Sequence, residues 1–132
     1  MLLPCEVGVK TVLPAVKAIM ARTIVEKHGL TEKDTAAMLG LSQSAISRYK
    51  NRGRGNNLLE IEKTIEVQIL IEQMVTYLVK EPTRKHEIML LFCQTCKIIR
   101  EKGLMCDLCR KDMAKEWADS CAFCQAEAIK IC

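Results

Sequence analysis

Residues 30–49 read LTEKDTAAMLGLSQSAISRY, and this stretch decides the fold that we predict for the chain. Thr31 precedes an acidic residue by three positions, close to the spacing of a capping box, so a helix is predicted to begin there. Gly40 is expected to end that helix. Ser42 is a favourable cap for a second helix over residues 43–51. The stretch therefore predicts two short helices joined by a tight turn.

The small and apolar positions of the same stretch fit a pair of steeply crossing helices. Ala36 supplies a small residue where the two helices meet, and Gly40 tolerates the positive φ angle that the turn needs. Ile46 and Tyr49 share the side of the second helix that must be buried, with Leu41 before it. These features predict a helix-turn-helix.

The other side of the second helix is polar and suited to contact DNA. It carries Gln43, Ser44, Ser47 and Arg48. Glutamine pairs with adenine through two hydrogen bonds, and arginine pairs with guanine. Residues 41–59 also contain four cations and no acid, and the formal net charge of the chain is +4. The four cations of this basic patch are Arg48, Lys50, Arg52 and Arg54. Double-stranded DNA is the predicted partner.

Residues 1–55 resemble the helix-turn-helix of the Cro and phage-repressor-like family. They also resemble that of archaeal predicted transcriptional regulators, including the domain fused to some archaeal thiamine-phosphate synthases. The resemblance rests on Leu3-Pro4-Cys5-Glu6, Val12-Leu13-Pro14, Leu30-Thr31, Leu39-Gly40-Leu41-Ser42 and Ala45-Ile46-Ser47.

This resemblance implies roles for individual residues. It implies that Gln43, Ser44, Ser47 and Arg48 contact bases, and it places Ser42 and Glu32 near the DNA backbone or the groove edge. Thr35 departs from the family, which usually has a larger apolar residue there, so looser packing of that helix is expected. The chain leaves no room for a synthase domain, so no enzymatic activity is expected to carry over.

The remaining sequence predicts further helices and an all-α fold, in line with a composition poor in Gly and Pro. One helix is predicted over residues 12–28 and another over residues 84–102. Leu58–Lys80 is predicted as one long helix, with a second apolar stripe at Ile61, Ile65 and Ile69. Its main apolar stripe consists of Val67, Leu70, Ile71, Met74, Val75 and Leu78. This wide stripe predicts pairing with the same helix of a second subunit. The alternative is packing against the C-terminal segment of the same chain.

Three regions follow from these patterns. Residues 1–57 are predicted to form the DNA-binding domain, residues 58–82 a dimerisation helix, and residues 83–132 a cysteine-rich metal-binding segment. That last segment holds seven of the eight cysteines. Six of them form three Cys-x-x-Cys pairs, which we call the first pair (Cys93 and Cys96), the second pair (Cys106 and Cys109) and the third pair (Cys121 and Cys124).

All six paired cysteines are predicted metal ligands, because a Cys-x-x-Cys pair can direct both sulfurs at one metal ion. The first and second pairs are the preferred set, while the third pair replaces one of them or completes a second site. Apolar and aromatic neighbours such as Phe92 and Phe123 favour a shielded iron–sulfur cluster of the [4Fe–4S] type, with zinc as the alternative. Buried or inert cysteines are the remaining interpretation.

Four other side chains are expected to have structural roles or surface positions rather than to bind a metal. Cys5 is expected to pack in the core of the N-terminal region, and Trp117 to anchor the last segment. His28 and His86 are expected at the surface or at helix ends. Whether Cys132 takes part in metal binding is left open.

The combined pattern predicts a homodimeric regulator whose DNA binding responds to oxidant or iron through the cluster. A DNA-binding regulator with a structural zinc site is the second hypothesis, and a redox or electron-carrying protein with an incidental helical N-terminal region is the third. The chain shows no nucleophile–base pair and no phosphate-binding glycine loop, so it is not expected to be an enzyme, and no small-molecule substrate is identified. The lack of a signal peptide or a membrane-spanning run predicts a cytoplasmic location.

Overall fold

The computed structural model describes residues 4–51, 56–112, 115–116, 121 and 124. The described part of the chain is helical and contains no strand, which confirms the all-α prediction. In chain order the elements are α1 (Pro4–Val7), a π-helical segment (Gly8–Val12), α2 (Leu13–His28), α3 (Glu32–Leu39), α4 (Gln43–Asn51), α5 (Asn56–Lys63), α6 (Ile65–Lys80), α7 (Lys85–Glu101) and α8 (Cys106–Asp112).

The helical path into α2 begins earlier than the predicted start at residue 12. It runs from α1 through the π-helical segment, where the Thr11 hydroxyl donates to the Val7 carbonyl oxygen at 2.6 Å. Pro14 lies in the first turn of α2 and has no N–H to donate to the preceding turn. The π-helical segment, whose turns are wider than those of an α-helix, lies where the hydrogen bond from residue 14 is missing. The end of α2 agrees with the prediction, because Gly29 follows with φ +66°.

The predicted helix-turn-helix is formed by α3 and α4. The Asp34 N–H donates to Thr31 Oγ1 at 3.1 Å, which caps α3. The Ala45 N–H donates to Ser42 Oγ at 3.1 Å, which caps α4. Gly40 adopts φ +65° between the two helices. Both predicted caps and the predicted turn glycine are confirmed.

The predicted single helix over residues 58–80 is wrong, because Thr64 separates α5 from α6. Thr64 has the extended angle ψ 117°. Its hydroxyl donates to the Glu60 carbonyl oxygen at 2.9 Å, and its N–H donates to the Ile61 carbonyl oxygen at 3.2 Å. A β-branched residue that bonds back to the preceding turn in this way competes with helix continuation.

The main apolar stripe of α6 packs within the chain. Its residues Val67, Ile71, Met74 and Val75 are buried, and α6 contacts α2 and α7. The alternative interpretation, packing within the same chain, therefore accounts for this stripe, with α2 of the N-terminal region contributing as well as α7 of the C-terminal segment. The flanking stripe that was predicted with it is divided, since Ile61 is buried while Ile65 and Ile69 are 68% and 53% exposed.

A single apolar core joins all three predicted regions. Two ion pairs also join α2 to later helices. Arg22 Nη1 of α2 lies 2.7 Å from Glu62 Oε1 of α5, and at the surface Lys27 of α2 pairs with Glu72 of α6. No helix in the described part of the chain is both long and apolar enough to cross a membrane. The core includes Val16, Met20 and Ile24 of α2, Ile46 of α4, Met74 of α6, Ile99 of α7, and Met105, Cys109 and Cys124.

Candidate DNA-binding interface and cysteine pairs

Helix α4 has one buried side and one exposed side. Ala45 and Ile46 are buried, with 6% and 1% of their surfaces exposed. The predicted contact residues lie on the other side, where Ser42, Gln43, Ser44 and Arg48 are exposed and Ser47 is half-buried. Amide, hydroxyl and guanidinium groups are the groups that read base edges in the major groove. The geometry of α4 is therefore that of a recognition helix.

The Ser47 hydroxyl has a partner within the protein. It donates to Glu32 Oε2 at 2.6 Å, which links α4 to the first turn of α3. Both residues are predicted to lie near DNA, but the sequence does not predict this bond. Glu32 and Ser47 are 15 positions apart in the chain, so no local pattern reveals the contact. The bond holds the Glu32 carboxylate beside α4.

Thr35, where the sequence departs from the family pattern, is completely buried. Its hydroxyl donates to the Thr31 carbonyl oxygen at 2.8 Å. The polar atom is therefore satisfied inside α3, and the departure from the family pattern introduces no unpaired group there.

Part of the predicted site lies outside the residues that the structure describes. This applies to Arg52, Arg54 and the side chain of Lys50 in the basic patch, and equally to Trp117 and Cys132. The side chains of Cys5 and Tyr49 also belong to this group. Their roles stay predictions.

The first cysteine pair lies in α7, which runs close to its predicted bounds. Cys93 is exposed and Cys96 is half-buried. Both line an apolar groove between α7 and the N-terminal helices. The other residues that line the groove are Gly8, Val9, Leu13, Lys17, Met89, Phe92 and Arg100.

The second and third pairs each place one thiol in the core instead. Cys109 of α8 and Cys124 are both 7% exposed and belong to the same apolar core. Burial raises the pKa of the Cys109 thiol to about 11, and the nearby thiols of Cys124, Cys106 and Cys121 add to the rise. The guanidinium of Arg100 acts in the opposite direction. A thiol with this pKa is protonated at neutral pH when no metal is bound.

The first and second pairs are the preferred ligands in the sequence-based prediction. In the structure, the second pair is associated with the third pair instead. The first pair faces the groove beside Gly8, whereas the cysteines that act electrostatically on Cys109 belong to the second and third pairs. As placed, no three histidine, cysteine or carboxylate side chains of the described residues converge closely enough to hold a metal ion. Spacing along the chain did not reveal which pairs approach, because helix packing decides that.

Comparison with known families finds one match. A family model described as helix-turn-helix matches residues 22–69, a range that begins within α2, includes α3 to α5 and ends within α6. The range crosses residue 57, where the sequence analysis placed a domain boundary. No curated protein and no solved structure matches the chain. The match includes α3 and α4, whose geometry is that of a helix-turn-helix, and this agreement supports a DNA-binding transcription regulator.

Proposed function

We propose that the protein is a sequence-specific transcription regulator that binds double-stranded DNA as a homodimer, with its DNA affinity modulated by a cysteine-ligated iron–sulfur cluster. The observation that carries the DNA-binding part is the outer side of α4. Gln43, Ser44 and Arg48 are exposed there, while Ile46 anchors the opposite side in the core.

The start of α4 is suited to approach DNA. Ser42 caps the helix and is itself exposed, so its hydroxyl can also meet a phosphate oxygen. The positive end of the helix dipole lies at the same place and favours an anion. Gln43 and Ser44 lie in the first turn, and Arg48 lies one turn further along the exposed side, within reach of the next base pairs.

The DNA-binding proposal is tested by selecting duplexes from a random library and measuring their affinity for variants. Arg48→Ala should weaken binding to the selected duplex about 10- to 100-fold, because a bidentate arginine–guanine contact contributes about 1–3 kcal/mol. Arg84→Ala is the matched control, since it removes the same charge from an exposed arginine in the turn before α7. Equal losses in both variants, or none in Arg48→Ala, would contradict the proposal.

The homodimer is supported by two exposed isoleucines on α6. Ile65 and Ile69 are spaced by one helical turn and both are more than half exposed. Two-fold symmetric operators usually match a two-fold protein. Ile69→Glu should shift the protein from dimer to monomer in light scattering, whereas Met89→Glu, on an equally exposed residue of α7, should not. A monomeric wild-type protein would remove this part of the proposal.

The iron–sulfur cluster is supported by the chemistry of the thiols and by their surroundings. Cys109 and Cys124 lie in an apolar core, and such a shell shields a cluster from solvent. When bound, a cluster supplies a centre whose charge changes on oxidation. The expected result is a brown protein after anaerobic purification, whose affinity for the selected duplex changes on exposure to oxygen.

Structural zinc is the second candidate, because four thiolates bind zinc equally well. A colourless protein that contains zinc, with DNA affinity unaffected by oxidant until the metal is lost, would favour it. The Arg48→Ala measurement keeps the DNA-binding proposal testable whichever metal is found.

A further inference from the structure

We propose that the second and third cysteine pairs together form one tetrathiolate metal site, and that the first pair lies outside it. This inference deepens the proposed function by assigning its metal ligands, and it rests on that function only for the consequence of metal binding. The class of occupant is a thiophilic metal centre, either a single zinc ion or an iron–sulfur cluster.

The second and third pairs are buried to a similar degree. Each pair contributes one inner and one outer sulfur. Cys109 and Cys124 are the inner ones, each 7% exposed within the same core. Cys106 is half-buried and Cys121 is exposed. Two pairs that each place one thiol in the core and one near the surface fit a centre seated at the edge of that core.

The two inner thiols share one core. Cys109 and Cys124 belong to the same buried apolar cluster. The thiols of Cys106, Cys121 and Cys124 all contribute to the raised pKa of Cys109, in keeping with that shared placement. Arg100 is 5% exposed and acts on the same thiol with the opposite sign. Four thiolates around a divalent metal carry a net charge of about −2, and a buried guanidinium nearby offsets part of that charge.

The backbone at the start of α8 orients the second pair. Gly103 turns the chain with φ +70°, and the Cys106 N–H donates to its carbonyl oxygen at 3.2 Å. Cys109 follows one turn later, with its N–H bonded to the Met105 carbonyl oxygen at 3.0 Å. Residues three apart in a helix share one side, so this turn presents the second pair on the same side of α8.

The first pair faces elsewhere. A Cβ placed on Gly8 would lie 3.9 Å from Cys96 Sγ, so this thiol packs against the π-helical segment. Cys93 and Cys96 line the apolar groove together with Leu13 and Met89. The groove is lined mainly by apolar side chains of α7 and the N-terminal helices, with Lys17 and Arg100, and the first pair serves as an internal control.

Metal binding requires the four thiols to draw closer together. Zinc–sulfur bonds of about 2.3 Å place the sulfurs of a tetrahedral site roughly 3.8 Å apart, and among the described side chains no group is yet that compact. Coordination therefore contracts the site, and its free energy adds to the stability of the fold. Removal of the metal should lower the melting temperature.

The decisive experiment labels the cysteines of the wild-type protein, so it does not depend on any variant folding. The chain is loaded with Zn²⁺, or isolated anaerobically with its own metal, and compared with chelator-stripped protein. Iodoacetamide is added, and mass spectrometry follows each cysteine. Cys106 and Cys121, the outer ligands, should react at least about tenfold more slowly when metal is bound. Cys93 should react at the same rate in both states.

The result that would overturn the proposal is equally clear. Protection of Cys93 together with unchanged reactivity of Cys121 would place the metal on the first and second pairs. The absence of metal-dependent protection at any cysteine would remove the site altogether.

Serine variants give an independent measurement. The double variant of the first pair, C93S with C96S, should keep the metal content of the wild-type protein, whereas C121S with C124S should lose it. Loss of metal from C93S with C96S, or retention by C121S with C124S, would refute the assignment. Circular dichroism of each variant shows whether it is folded.

Metal analysis then separates the two occupants. About one zinc ion per chain identifies a zinc site, while iron with acid-labile sulfide and visible absorption identifies a cluster. Either result with protected outer thiols supports the tetrathiolate site. None of these readouts uses DNA, so failure of the metal site and failure of the DNA-binding function remain distinguishable.

Discussion

The helix-turn-helix and the cysteine segment differ in how far apart along the chain their determinants lie. In α3 and α4 each determinant acts over four or five residues: Thr31 caps through Asp34, Ser42 caps through Ala45, and Gly40 makes the turn. The second and third cysteine pairs are separated by eleven residues, and each places one thiol in a core to which residues far apart in the chain contribute.

This difference explains why the caps and the turn could be predicted from the sequence, whereas the partner of each cysteine pair could not. A cap or a turn glycine has its partner nearby, so the residue type and the spacing suffice to identify it. A Cys-x-x-Cys pair identifies its chemistry but not its partner pair. The following predictions test whether the helix-turn-helix depends on local determinants and on the shared core as the structure indicates.

The largest effect is expected from the shared core. Ile46→Ala removes a side chain of α4 that is 1% exposed, and should lower the free energy of unfolding by about 2–5 kcal/mol. Leu90→Ala removes a side chain of the same size at a residue of α7 that is 59% exposed, and should cost less than about 0.5 kcal/mol. Urea denaturation followed by circular dichroism measures both. Because the core is continuous, Ile46→Ala should shift a single unfolding transition. Separate transitions for the helix-turn-helix and the cysteine segment would contradict a continuous core.

The next effect concerns the turn. Gly40→Ala should destabilise the protein by about 1–2 kcal/mol, because φ +65° disfavours a residue with a Cβ. The described atoms leave the space around that Cβ open within 4 Å, so the cost is one of backbone conformation alone. Gly40→Asn should recover part of the loss, since asparagine tolerates this conformation better. Equal thermal stability of wild-type and alanine proteins would argue against the turn.

The two caps should have similar effects on stability and different effects on DNA binding. Thr31→Ala and Ser42→Ala each remove one hydrogen bond to a helix N–H and should each cost about 1 kcal/mol. Ser42 precedes the recognition helix, so only Ser42→Ala should also weaken binding to the selected duplex. Thermal melts combined with binding isotherms separate the two effects. A similar loss of DNA affinity in Thr31→Ala would undermine the assignment of Ser42.

The smallest effect is expected at the surface, where α6 meets the end of α7. A backbone N–H at the start of α6 and the Lys102 ammonium lower the pKa of Glu66 from its ordinary value of 4.5. The ionised form is therefore favoured in the folded state. Its contribution is present above about pH 4.5 and is lost as the pH falls through the lowered pKa.

Glu66→Gln should remove this contribution, so the stability of the variant should fall less steeply than that of the wild-type protein between neutral and acidic pH. Thermal melts over a pH series provide the measurement. An unchanged acid-side slope would show that the pair with Lys102 contributes nothing measurable.

The long helix shows the limit of periodicity. The apolar repeat from Val67 to Leu78 correctly identified a helix, but it did not reveal the break at Thr64, whose hydroxyl bonds back to Glu60. The repeat also could not say what covers the stripe. In the structure α2 and α7 cover it, and only Ile65 and Ile69 of the flanking stripe remain exposed.

The sequence by itself determined the all-α class, the two capped helices with their turn glycine, and the polar outer side of α4. Each of these follows from residue type and from spacing within one or two helical turns. Only the tertiary structure decided the bond between Ser47 and Glu32, the burial of the α6 stripe, and the approach of Cys109 to Cys124. Those depend on which helices share a core, and a core is formed by residues far apart in the chain.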